Sequence, residues 1–352
     1  MKKISNYQVT INYETEIIEI DDLNFFVDMI SLRSKKTICI IDRNLSVLYP
    51  VTSKKVHVLE VESGESIKTM ESVRPLMQSF LDHQIDRSST MIVIGGGALT
   101  DAIGFIASIY LRGIRMIVVP STLLSMVDAA IGGKNGLNFA QAKNQLGTIY
   151  QPETIAIFPK FLETLPEVEW TSGFAEIIKY GLIADSDLCL ELLDFDLAKI
   201  QNDPTKMMTW MTKCIQIKSR IVQQDPTDKA LRKTLNFGHT IGHVLESSYN
   251  IPHGHAVGLG MIVAGYISER EFQIDNTIVP LMIRLLNQFQ IPTQIDWNYA
   301  AIANGIRKDK KRANEIIDFV LLNKIGEAVI KQLTLTQIEE YLHIAKTEQW
   351  IS

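Results

Sequence analysis

The chain has 352 residues, which is enough for one large domain or two of ordinary size, and 46% of them are hydrophobic against 21% charged, as in a globular protein with a substantial core. A formal net charge of −5 argues against a nucleic-acid binder, whose affinity comes from clustered Lys and Arg. The three cysteines are far apart and form no CxxC pair, which argues against a disulfide framework and a thiolate zinc site.

Four short β-rich runs in the first half of the chain predict the strands of a parallel α/β domain. They cover residues 37–41, 56–61, 90–94 and 116–119, and each ends in polar or turn-forming residues. An amphipathic stretch at 66–83 predicts a helix between the second and third strands. Because ligands of parallel sheets bind beyond the carboxyl ends of the strands, the polar residues at these ends are candidates for a binding site.

The second half of the chain changes to helical periodicity near residue 167. The segments 174–183, 207–224, 231–249 and 257–272 predict helices, and 316–322 fits either a strand or a helix. We predict a domain boundary at the point where the pattern changes, between residues 165 and 166.

The sequence predicts neither a membrane span nor a secretory signal. The most apolar region, 91–120, contains Asp101, Arg112 and Arg115, which a bilayer would tolerate poorly. The lysines near the first residue precede no apolar stretch. We therefore expect a cytoplasmic protein that binds small molecules rather than a membrane or nucleic acid.

A glycine-rich turn follows the third predicted strand. Gly95, Gly96 and Gly97 lead into a helix that carries Asp101 in its first turn. Glycines let the backbone approach a pyrophosphate, and a helix N-terminus offers free N–H groups and a positive dipole end. The spacing is not GxGxxG, so a purely structural turn stays an alternative, as does a role for Asp101 as a helix N-terminal charge. The turn favours a nucleotide-binding site.

Charged and polar residues are concentrated in the middle of the chain. Glu176 and Lys179 are three apart on a predicted apolar helix, where a surface ion pair is the simplest alternative to a functional role. The charged and polar residues of this region suggest a cationic pocket for an anionic substrate that carries phosphate and carboxylate. The candidates for this pocket are Asp128, Lys134, Lys143, Asn144, Lys179, Lys218, Arg232 and Asn236.

Four of the seven histidines lie between residues 239 and 255. His239 and His243 are four apart and share one face of a helix, so both can point to one metal ion or one substrate. A core or surface role is common for such a pair, and the HExxH pattern of zinc peptidases is absent from the sequence. Glu176 is the best candidate for a carboxylate that would complete a metal site.

These motifs resemble those of the 3-dehydroquinate synthases and the other sugar phosphate cyclases. The resemblance is close from Gly95 to about His255 and thinner outside this range. The motifs occur in the family's order as GGGALTD, RGI, PSTLLSMVDAAIGGK, AKN, YQP, AEIIKYGLI and LNFGHTIGH followed by HG. This combination is highly specific.

The resemblance implies a role for each matching residue. Glu176, His239 and His253 would bind the metal, and His243 would lie near the substrate. Arg112 would reach the substrate phosphate from the neighbouring subunit of a homodimer. The other implied substrate contacts are Asp128, Lys134, Asn144, Lys179, Lys218, Arg232, Asn236 and Lys310. The implied NAD contacts are Asp42, Glu65, Lys68, Gly95, Gly96, Gly97, Asp101, Ser121, Thr122, Lys134, Lys143 and Thr164.

The resemblance also implies a fold and a reaction. The fold would be a Rossmann-like, NAD-binding α/β domain at 1–165 and a mainly α-helical metal- and substrate-binding domain at 166–352, with the active site in the cleft between them. The reaction would convert the sugar-acid phosphate 3-deoxy-D-arabino-heptulosonate 7-phosphate (DAHP) to 3-dehydroquinate and phosphate in the shikimate pathway. Its steps would be transient oxidation by NAD, phosphate elimination, reduction, ring opening and aldol closure. One divalent metal, zinc or cobalt, would complete the site.

Two residues depart from the family pattern. Thr100 stands where the family usually has Gly, which would narrow the entry to the helix after the glycine turn. His255 stands where Glu often follows His-Gly, so the third metal ligand is either His253 or His255. The resemblance favours His253.

Three other functions are alternatives. Another sugar phosphate cyclase, of the deoxy-scyllo-inosose or epi-valiolone type, would share most motifs, although Lys218, Asn236 and His243 match the dehydroquinate pattern. A metal-dependent polyol dehydrogenase would use fewer lysines and would produce or consume NADH. A catalytically inactive scaffold is disfavoured because the charged motif residues are all present.

Overall fold

The computed structural model describes residues 13–62, 64–140, 142–296, 302–303, 305–307 and 316–347. The chain divides into two compact units. The first unit comprises Met1–Pro120 and Gly133–Phe158, and the second comprises Ser121–Gly132 and Pro159–Ser352. The domain boundary between residues 165 and 166 stays a prediction.

The first unit is built around a parallel sheet. Its strands are β1 Glu16–Glu19, β2 Thr37–Asp42, β3 Val56–Val61, β4 Thr90–Gly95 and β5 Arg115–Pro120, then the hairpin strands β6 Lys134–Phe139 and β7 Ala142–Ile149, and last β8 Thr154–Ile157. Six of them form one sheet in the order β1-β8-β5-β4-β2-β3, in which all paired strands are parallel. The four predicted strands are confirmed. They are continuous apolar runs because the centre of a parallel sheet is covered on both faces.

Four helices accompany this sheet: α1 Leu23–Leu32, α2 Arg43–Leu48, α3 Met70–Asp82 and α4 Gly97–Ile109. The helix predicted at 66–83 begins instead as a 3-10 turn, and α3 starts after Thr69, whose hydroxyl caps it by accepting from the Ser72 amide at 3.1 Å. The β6–β7 hairpin packs against α4 at Gly104, where any larger side chain would overlap Asn135. This hairpin was not predicted, because its residues are largely polar.

The second unit is mainly α-helical, as predicted. Its helices are α5 Glu167–Ala184, α6 Ser186–Leu192, α7 Leu197–Gln201, α8 Pro204–Gln224, α9 His239–Tyr249, α10 His253–Glu271, α11 Ile278–Gln288 and α12 Leu335–Thr347. The run at 316–322 belongs to a strand, β9 Ile316–Lys324, which pairs with β10 Glu327–Thr334 in an antiparallel hairpin. Helices α5 and α10 are buried on nearly all faces and form the core of this unit. Among the described residues, no helix is both long and apolar enough to cross a bilayer.

The prediction of a single helix at 231–249 is wrong. The segment forms a 3-10 turn at Leu231–Asn236, and Gly238 then takes a left-handed conformation with φ of 79° before α9 begins at His239. A side chain at Gly238 would come within 2.8 Å of the Val257 carbonyl oxygen, so glycine also allows the close approach to α10. The apolar periodicity continues across this break, which hides it from a pattern-based prediction.

Candidate metal and cofactor sites

Three helices of the second unit bring one potential metal ligand each to the same point. Glu176 lies in the middle of α5 and is fully buried, His239 is the first residue of α9, and His253 is the first residue of α10. The Nε2 atoms of His239 and His253 lie 3.5 and 3.6 Å from Glu176 Oε1. These separations exceed a hydrogen bond and are close to the spacing of about 3.4 Å that two ligands at about 2.1 Å from a tetrahedral metal would have.

Both imidazoles are oriented with Nε2 towards Glu176. His239 Nδ1 lies 3.1 Å from the Phe237 carbonyl oxygen, and His253 Nδ1 lies 3.1 Å from Glu246 Oε2. Because each partner is an acceptor, each Nδ1 is the protonated nitrogen that donates. The lone pair of the neutral ring is then on Nε2, which is the atom that faces the carboxylate.

The carboxylate of Glu176 has an ion pair but lacks well-formed hydrogen bonds among the described residues. Neither oxygen of Glu176 accepts a hydrogen bond of good geometry from any described residue, although Lys179 Nζ forms a close ion pair with Oε2. A fully buried carboxylate in that state is costly, and a cation between it and the two imidazoles would satisfy it. One carboxylate and two imidazoles are a ligand set that suits zinc or cobalt. The donor atoms present therefore fit a divalent metal.

The protonation states of the three groups differ. Burial alone would raise the pKa of Glu176, but Lys179, His253 and His239 together outweigh it and lower the pKa, so the carboxylate is ionised at neutral pH. Burial lowers the pKa of His239 to about 3. Burial also opposes charge on His253, but the carboxylates of Glu176 and Glu246 outweigh it and raise its pKa to about 9. A metal would therefore have to displace a proton from His253.

Neither of the two remaining histidines of the segment belongs to the group of Glu176, His239 and His253. His243 is exposed one turn after His239, and their ring centres are 5.3 Å apart. His255 Nε2 instead bonds Thr171 Oγ1 on α5 at 2.9 Å. His255 is absent from the described groups that could hold a metal, and Glu176, His239 and His253 form one such group. The structure thus favours His253 over His255 as the third ligand.

A second charged cluster adjoins the first. Lys179 Nζ also lies 3.5 Å from Asp128 Oδ2, and the Tyr180 hydroxyl donates to Asp128 Oδ1 at 2.8 Å. Lys218 Nζ donates to the Asp128 carbonyl oxygen at 2.7 Å and forms a close ion pair with its carboxylate. Burial would raise the pKa of Asp128, but Lys179 and Lys218 outweigh it and hold the pKa well below its usual value. The Glu176–Lys179 pair, which was a possible surface pair in the sequence, is buried and part of this network.

Arg232 is a buried cation near the same elements. Its Nη1 donates to the Pro226 carbonyl oxygen at 3.1 Å, whereas its Nε is buried and donates to none of the described residues. Any side chain at Gly132, whose φ is 98°, would run into the guanidinium group. Asn236 ends the 3-10 turn that carries Arg232 and is half-buried. The unpaired Nε makes Arg232 a candidate for binding an anion.

In the first unit, the glycine turn has the expected geometry. Strand β4 ends at Gly95, and Gly96 precedes α4, whose N-terminus has no side-chain cap. Its first N–H groups are therefore available to a phosphate. Thr100 is buried, and its hydroxyl donates to the Gly97 carbonyl oxygen at 3.0 Å within the same helix. The narrowing of the helix entry by Thr100 stays a prediction.

Four predicted contact residues of the first unit form one polar network. Lys68 is buried, and its Nζ donates to Asp101 Oδ2 at 2.8 Å and to Asn144 Oδ1 at 2.6 Å. Asn138, which the sequence analysis missed, links Asn144 and Glu65: it accepts from the Asn144 amide at 2.9 Å and donates to Glu65 Oε1 at 2.8 Å. The signal for Asn138 was its position between Lys134 and Asn144 in the glycine-rich segment.

The other predicted residues lie at the ends of elements. Asp42 ends β2, and its carboxylate accepts from the Asn44 amide at 2.7 Å. Arg112 is exposed, and both it and its neighbour Leu111 have left-handed backbones, with φ of 66° and 51°. Lys310 lies outside the described residues. Lys134 and Lys143 are exposed on the hairpin, Ser121 and Thr122 follow β5, and Thr164 ends the 3-10 turn Pro159–Thr164.

Comparison with known proteins identifies relatives over most of the chain. Family models for the N-terminal and C-terminal parts of 3-dehydroquinate synthase match residues 58–172 and 173–312. A 3-dehydroquinate synthase of Sulfolobus acidocaldarius is 37% identical over 292 residues, which cover 81% of this chain and 83% of that protein.

Solved structures show the same fold. The 2-epi-5-epi-valiolone synthase of Streptomyces hygroscopicus, with NAD⁺ and Zn²⁺ bound, has a TM-score of 0.85 at 23% identity and covers 98% of this chain and 99% of its own. A 2-deoxy-scyllo-inosose synthase complexed with carbaglucose-6-phosphate, NAD⁺ and Co²⁺ has a TM-score of 0.83 at 25% identity, with coverage of 92% and 95%. The predicted fold class, a Rossmann-like α/β domain followed by a mainly helical one, is confirmed.

Proposed function

The chain belongs to the 3-dehydroquinate synthase family, and from this premise we propose that it is the NAD- and metal-dependent carbon–oxygen lyase that converts DAHP to 3-dehydroquinate and phosphate. The observation that carries the proposal is the convergence of Glu176, His239 and His253 beside the Asp128–Lys179 pair. Relatives of this name are 34–38% identical to the chain, whereas the solved cyclases of other specificity are 23–25% identical.

Two cofactors complete the proposal. NAD, when bound, would accept a hydride from a substrate alcohol carbon and later return it, so that no NADH accumulates. A divalent metal such as Zn²⁺ or Co²⁺ would polarise the oxygen on that carbon. Glu176, His239 and His253 would hold the metal, and the fixed Nδ1 partners of both imidazoles would keep the ligands oriented. Solved cyclases of the same fold contain NAD⁺ with one or the other of these metals.

The cationic side chains would bind the anionic ends of the substrate. Lys134, Lys179 and Arg112 would offset the charge of the departing phosphate. In the family's mechanism the substrate phosphate assists its own elimination. Holding both ends of one molecule would supply the proximity that the final ring closure requires.

Arg232 supports a substrate that carries a carboxylate. Its guanidinium is buried, and its Nε donates to no described residue, so an anion of the substrate would satisfy it. The related cyclases of the deoxy-scyllo-inosose and epi-valiolone types are the alternative, and a sugar phosphate without a carboxylate would not use this contact. We therefore expect Arg232→Gln to reduce turnover of DAHP and leave any turnover of a hexose 6-phosphate unchanged.

The residues of the first unit would bind NAD. The uncapped N-terminus of α4 after Gly95-Gly96-Gly97 would hold the pyrophosphate, and Asp42 at the end of β2 would lie near a ribose. The remaining proposed contacts are Glu65, Lys68, Asp101, Ser121, Thr122, Lys134, Lys143 and Thr164. Of these, Lys68 and Asp101 are already paired to each other, so their effect on NAD would be through the shape of the site.

We propose that the enzyme is a homodimer in which Arg112 contributes to the neighbouring site. Arg112 is exposed on a turn with successive left-handed residues, a backbone that is costly and is usually maintained for a function. Mixing the inactive variants Arg112→Ala and Glu176→Gln tests this. If Arg112 acts across the interface, mixed dimers regain activity, because one site per dimer is then complete. If activity is not restored after subunit exchange, Arg112 does not act in the partner.

We also propose that the enzyme acts in the cytoplasm. Cys39, Cys189 and Cys214 are all buried free thiols, as is usual in a reducing compartment. Fractionation of cells that express the protein tests this directly.

One experiment tests the function as a whole. The purified protein is incubated with DAHP, NAD and Zn²⁺ or Co²⁺, and released phosphate and carbocyclic product are measured together with NADH absorbance. We expect equal amounts of phosphate and 3-dehydroquinate and no net NADH. Net NADH would indicate a dehydrogenase, and activity only with a sugar phosphate that lacks a carboxylate would indicate another cyclase.

A further inference from the structure

The two imidazoles of the metal site are held in different ways. His239 Nδ1 donates to the neutral carbonyl oxygen of Phe237, two residues earlier in the chain. His253 Nδ1 donates to the carboxylate of Glu246, which lies on the preceding helix, α9. One potential ligand therefore has a neutral outer partner and the other has a negatively charged one.

His253 depends on its outer partner more than His239 does. The side chain of His239 is only 12% exposed, so neighbouring atoms restrict its orientation. That of His253 is 31% exposed and is less restricted by packing. Glu246 is 18% exposed and lies near the end of α9, which is connected to α10 by residues 250–252 only. The Glu246–His253 contact thus ties the end of one ligand-bearing helix to the first residue of the next.

We propose that Glu246 is a positioning residue of the metal site, which orients His253 and strengthens binding of a divalent cation by Glu176, His239 and His253. Its carboxylate accepts from Nδ1 and so keeps Nε2 directed at Glu176. Its negative charge also makes the imidazole a better electron donor, as in carboxylate–histidine–metal arrangements generally. The inference rests on the metal site of the proposed function and assigns a role to a residue outside the three ligands.

A competing arrangement uses the same atoms. His243, Glu246 and His253 also have ligand atoms within 4.8 Å of one another, so Glu246 would be a ligand if a second cation bound there. His253 would then have to lose its Nδ1 proton and bridge two cations through one ring. The 3.1 Å separation of Nδ1 and Oε2 is that of a hydrogen bond, and binding of a cation by Nε2 at the first site leaves the Nδ1 proton in place.

The experiment measures metal affinity without relying on turnover. Metal-free wild type, Glu246→Gln and Glu246→Ala are titrated with Co²⁺ in competition with a chromophoric chelator, and the Co²⁺ absorption spectrum is recorded. Ser247→Ala is the matched control, because Ser247 is the next residue of α9 and its hydroxyl donates only to backbone carbonyl oxygens, at 2.9 and 3.1 Å. Thermal unfolding of each metal-free variant verifies that the fold is intact.

We expect wild type and Ser247→Ala to bind one Co²⁺ with equal affinity and Glu246→Ala to bind it about 10–100-fold more weakly. Glu246→Gln should lie between them, because its amide oxygen still accepts from Nδ1 but the charge is gone. Equal affinity in wild type and Glu246→Ala would overturn the proposal. Two Co²⁺ per wild-type chain and one in Glu246→Ala would also overturn it, since Glu246 would then be a ligand.

The result is distinguishable from a failure of the proposed function. A wild-type protein that binds Co²⁺ but releases no phosphate from DAHP would refute the function and leave the role of Glu246 intact. A wild-type protein that binds no Co²⁺ would refute the metal site, and the role of Glu246 with it.

Discussion

Two polar clusters, one in each unit, contain a buried charged group, and they differ in how completely its hydrogen bonds are made. In the first unit, Lys68 Nζ donates to both Asp101 and Asn144, so its charge is paired and its hydrogen bonds are made within the chain. In the second unit, the fully buried Glu176 has an ion pair with Lys179, but neither of its oxygens accepts a hydrogen bond of good geometry from a described residue. A cluster whose hydrogen bonds are made within the chain has the properties of a structural element, whereas one that keeps unsatisfied acceptors has those of a binding site that is complete only with its ligand.

Of the substitutions in the two clusters, Glu176→Gln is expected to have the largest effect. We expect Glu176→Gln to weaken Co²⁺ or Zn²⁺ binding by more than the factor of about 10–100 expected for an outer partner of the site, since a charged ligand is lost. The protein should remain folded, because Lys179 keeps its second partner, Asp128. Titration with metal and thermal unfolding, with and without metal, measure both effects.

Glu169→Gln is the matched control for this prediction, because Glu169 lies two turns earlier on the same helix. Metal should raise the unfolding temperature of wild type and Glu169→Gln and leave that of Glu176→Gln unchanged. Full metal occupancy with normal turnover in Glu176→Gln would show that Glu176 is not a ligand, and the contrast between the two clusters would be lost.

The opposite behaviour is expected of Lys68. Lys68→Met should lower the free energy of unfolding by about 3 kcal/mol, the lower end of the range for breaking a buried pair, because Asp101 is partly exposed and water can solvate it. Chemical denaturation measures this loss. Metal affinity should not change, since the Lys68 cluster belongs to the first unit.

NAD binding by Lys68→Met sharpens the comparison. Near-normal stability combined with a large loss of NAD affinity would mean that Lys68 binds the cofactor directly, as the family resemblance implies. If the variant instead loses stability and its NAD affinity falls only as far as that loss explains, Lys68 affects NAD binding indirectly, by keeping the Asp101–Asn144 cluster in place.

Glu191 is a carboxylate of the second unit whose hydrogen bonds are made within the chain. It therefore shows whether a carboxylate of this unit acts as a structural element when its hydrogen bonds are made. Glu191 accepts from Lys206 at 2.7 Å, Lys213 at 2.6 Å and Trp210 at 3.0 Å. Hydrogen bonds from the two lysines lower its pKa to about 2 from an ordinary value of 4.5. The stability it contributes is therefore present above pH 4.5 and is lost as the pH falls through about 2.

Glu191→Gln should remove this acid-dependent contribution. We expect the variant to be less stable at neutral pH by on the order of 1 kcal/mol, since the groups are partly exposed, and to show a flatter loss of stability between pH 4.5 and 2. Glu340→Gln, at an exposed position of α12, is the control. An acid profile identical to that of wild type would mean that the lysine contacts of Glu191 are not maintained in solution.

The sequence was most informative where a local pattern determines structure. Buried strands such as β2 and β4 are continuous apolar runs, and the glycine turn after β4 marks a helix N-terminus. The hairpin β6–β7 was missed because it is polar, and the break at Gly238 was missed because apolar periodicity continues past it. Both features depend on packing against other elements, which no local pattern records.

Local sequence patterns are also insufficient to predict the candidate site. The spacing of His239 and His243 predicts a shared helix face, yet of the two only His239 lies close to Glu176. His239 is the first residue of α9, whereas His243 lies one turn further along the helix and is exposed. The family resemblance, rather than spacing, separated the two. The outer partners Glu246 and Thr171 were missed, although Glu246 is seven residues from both His239 and His253, which was a usable signal.

The smallest expected effect concerns His255, the residue that departs from the family pattern. The Thr171 hydroxyl donates to the Val168 carbonyl oxygen at 2.9 Å and therefore accepts from His255 Nε2, also at 2.9 Å. This contact joins α5 to the first turn of α10 without including any of the three proposed metal ligands. Thr171→Val should cost about 1 kcal/mol of stability, the usual net value of one hydrogen bond, and change metal affinity little.

Ser172→Ala is the control that isolates the contribution of the Thr171–His255 hydrogen bond to the free energy of unfolding. The Ser172 hydroxyl donates to the same Val168 carbonyl oxygen, at 2.8 Å, and forms no hydrogen bond with an imidazole of the described residues. A difference in unfolding free energy between the two variants therefore measures the bond to His255. If Thr171→Val instead weakened Co²⁺ binding as much as Glu246→Ala, the α5–α10 contact would be part of the metal site, and the site would extend beyond the side chains that touch its ligands.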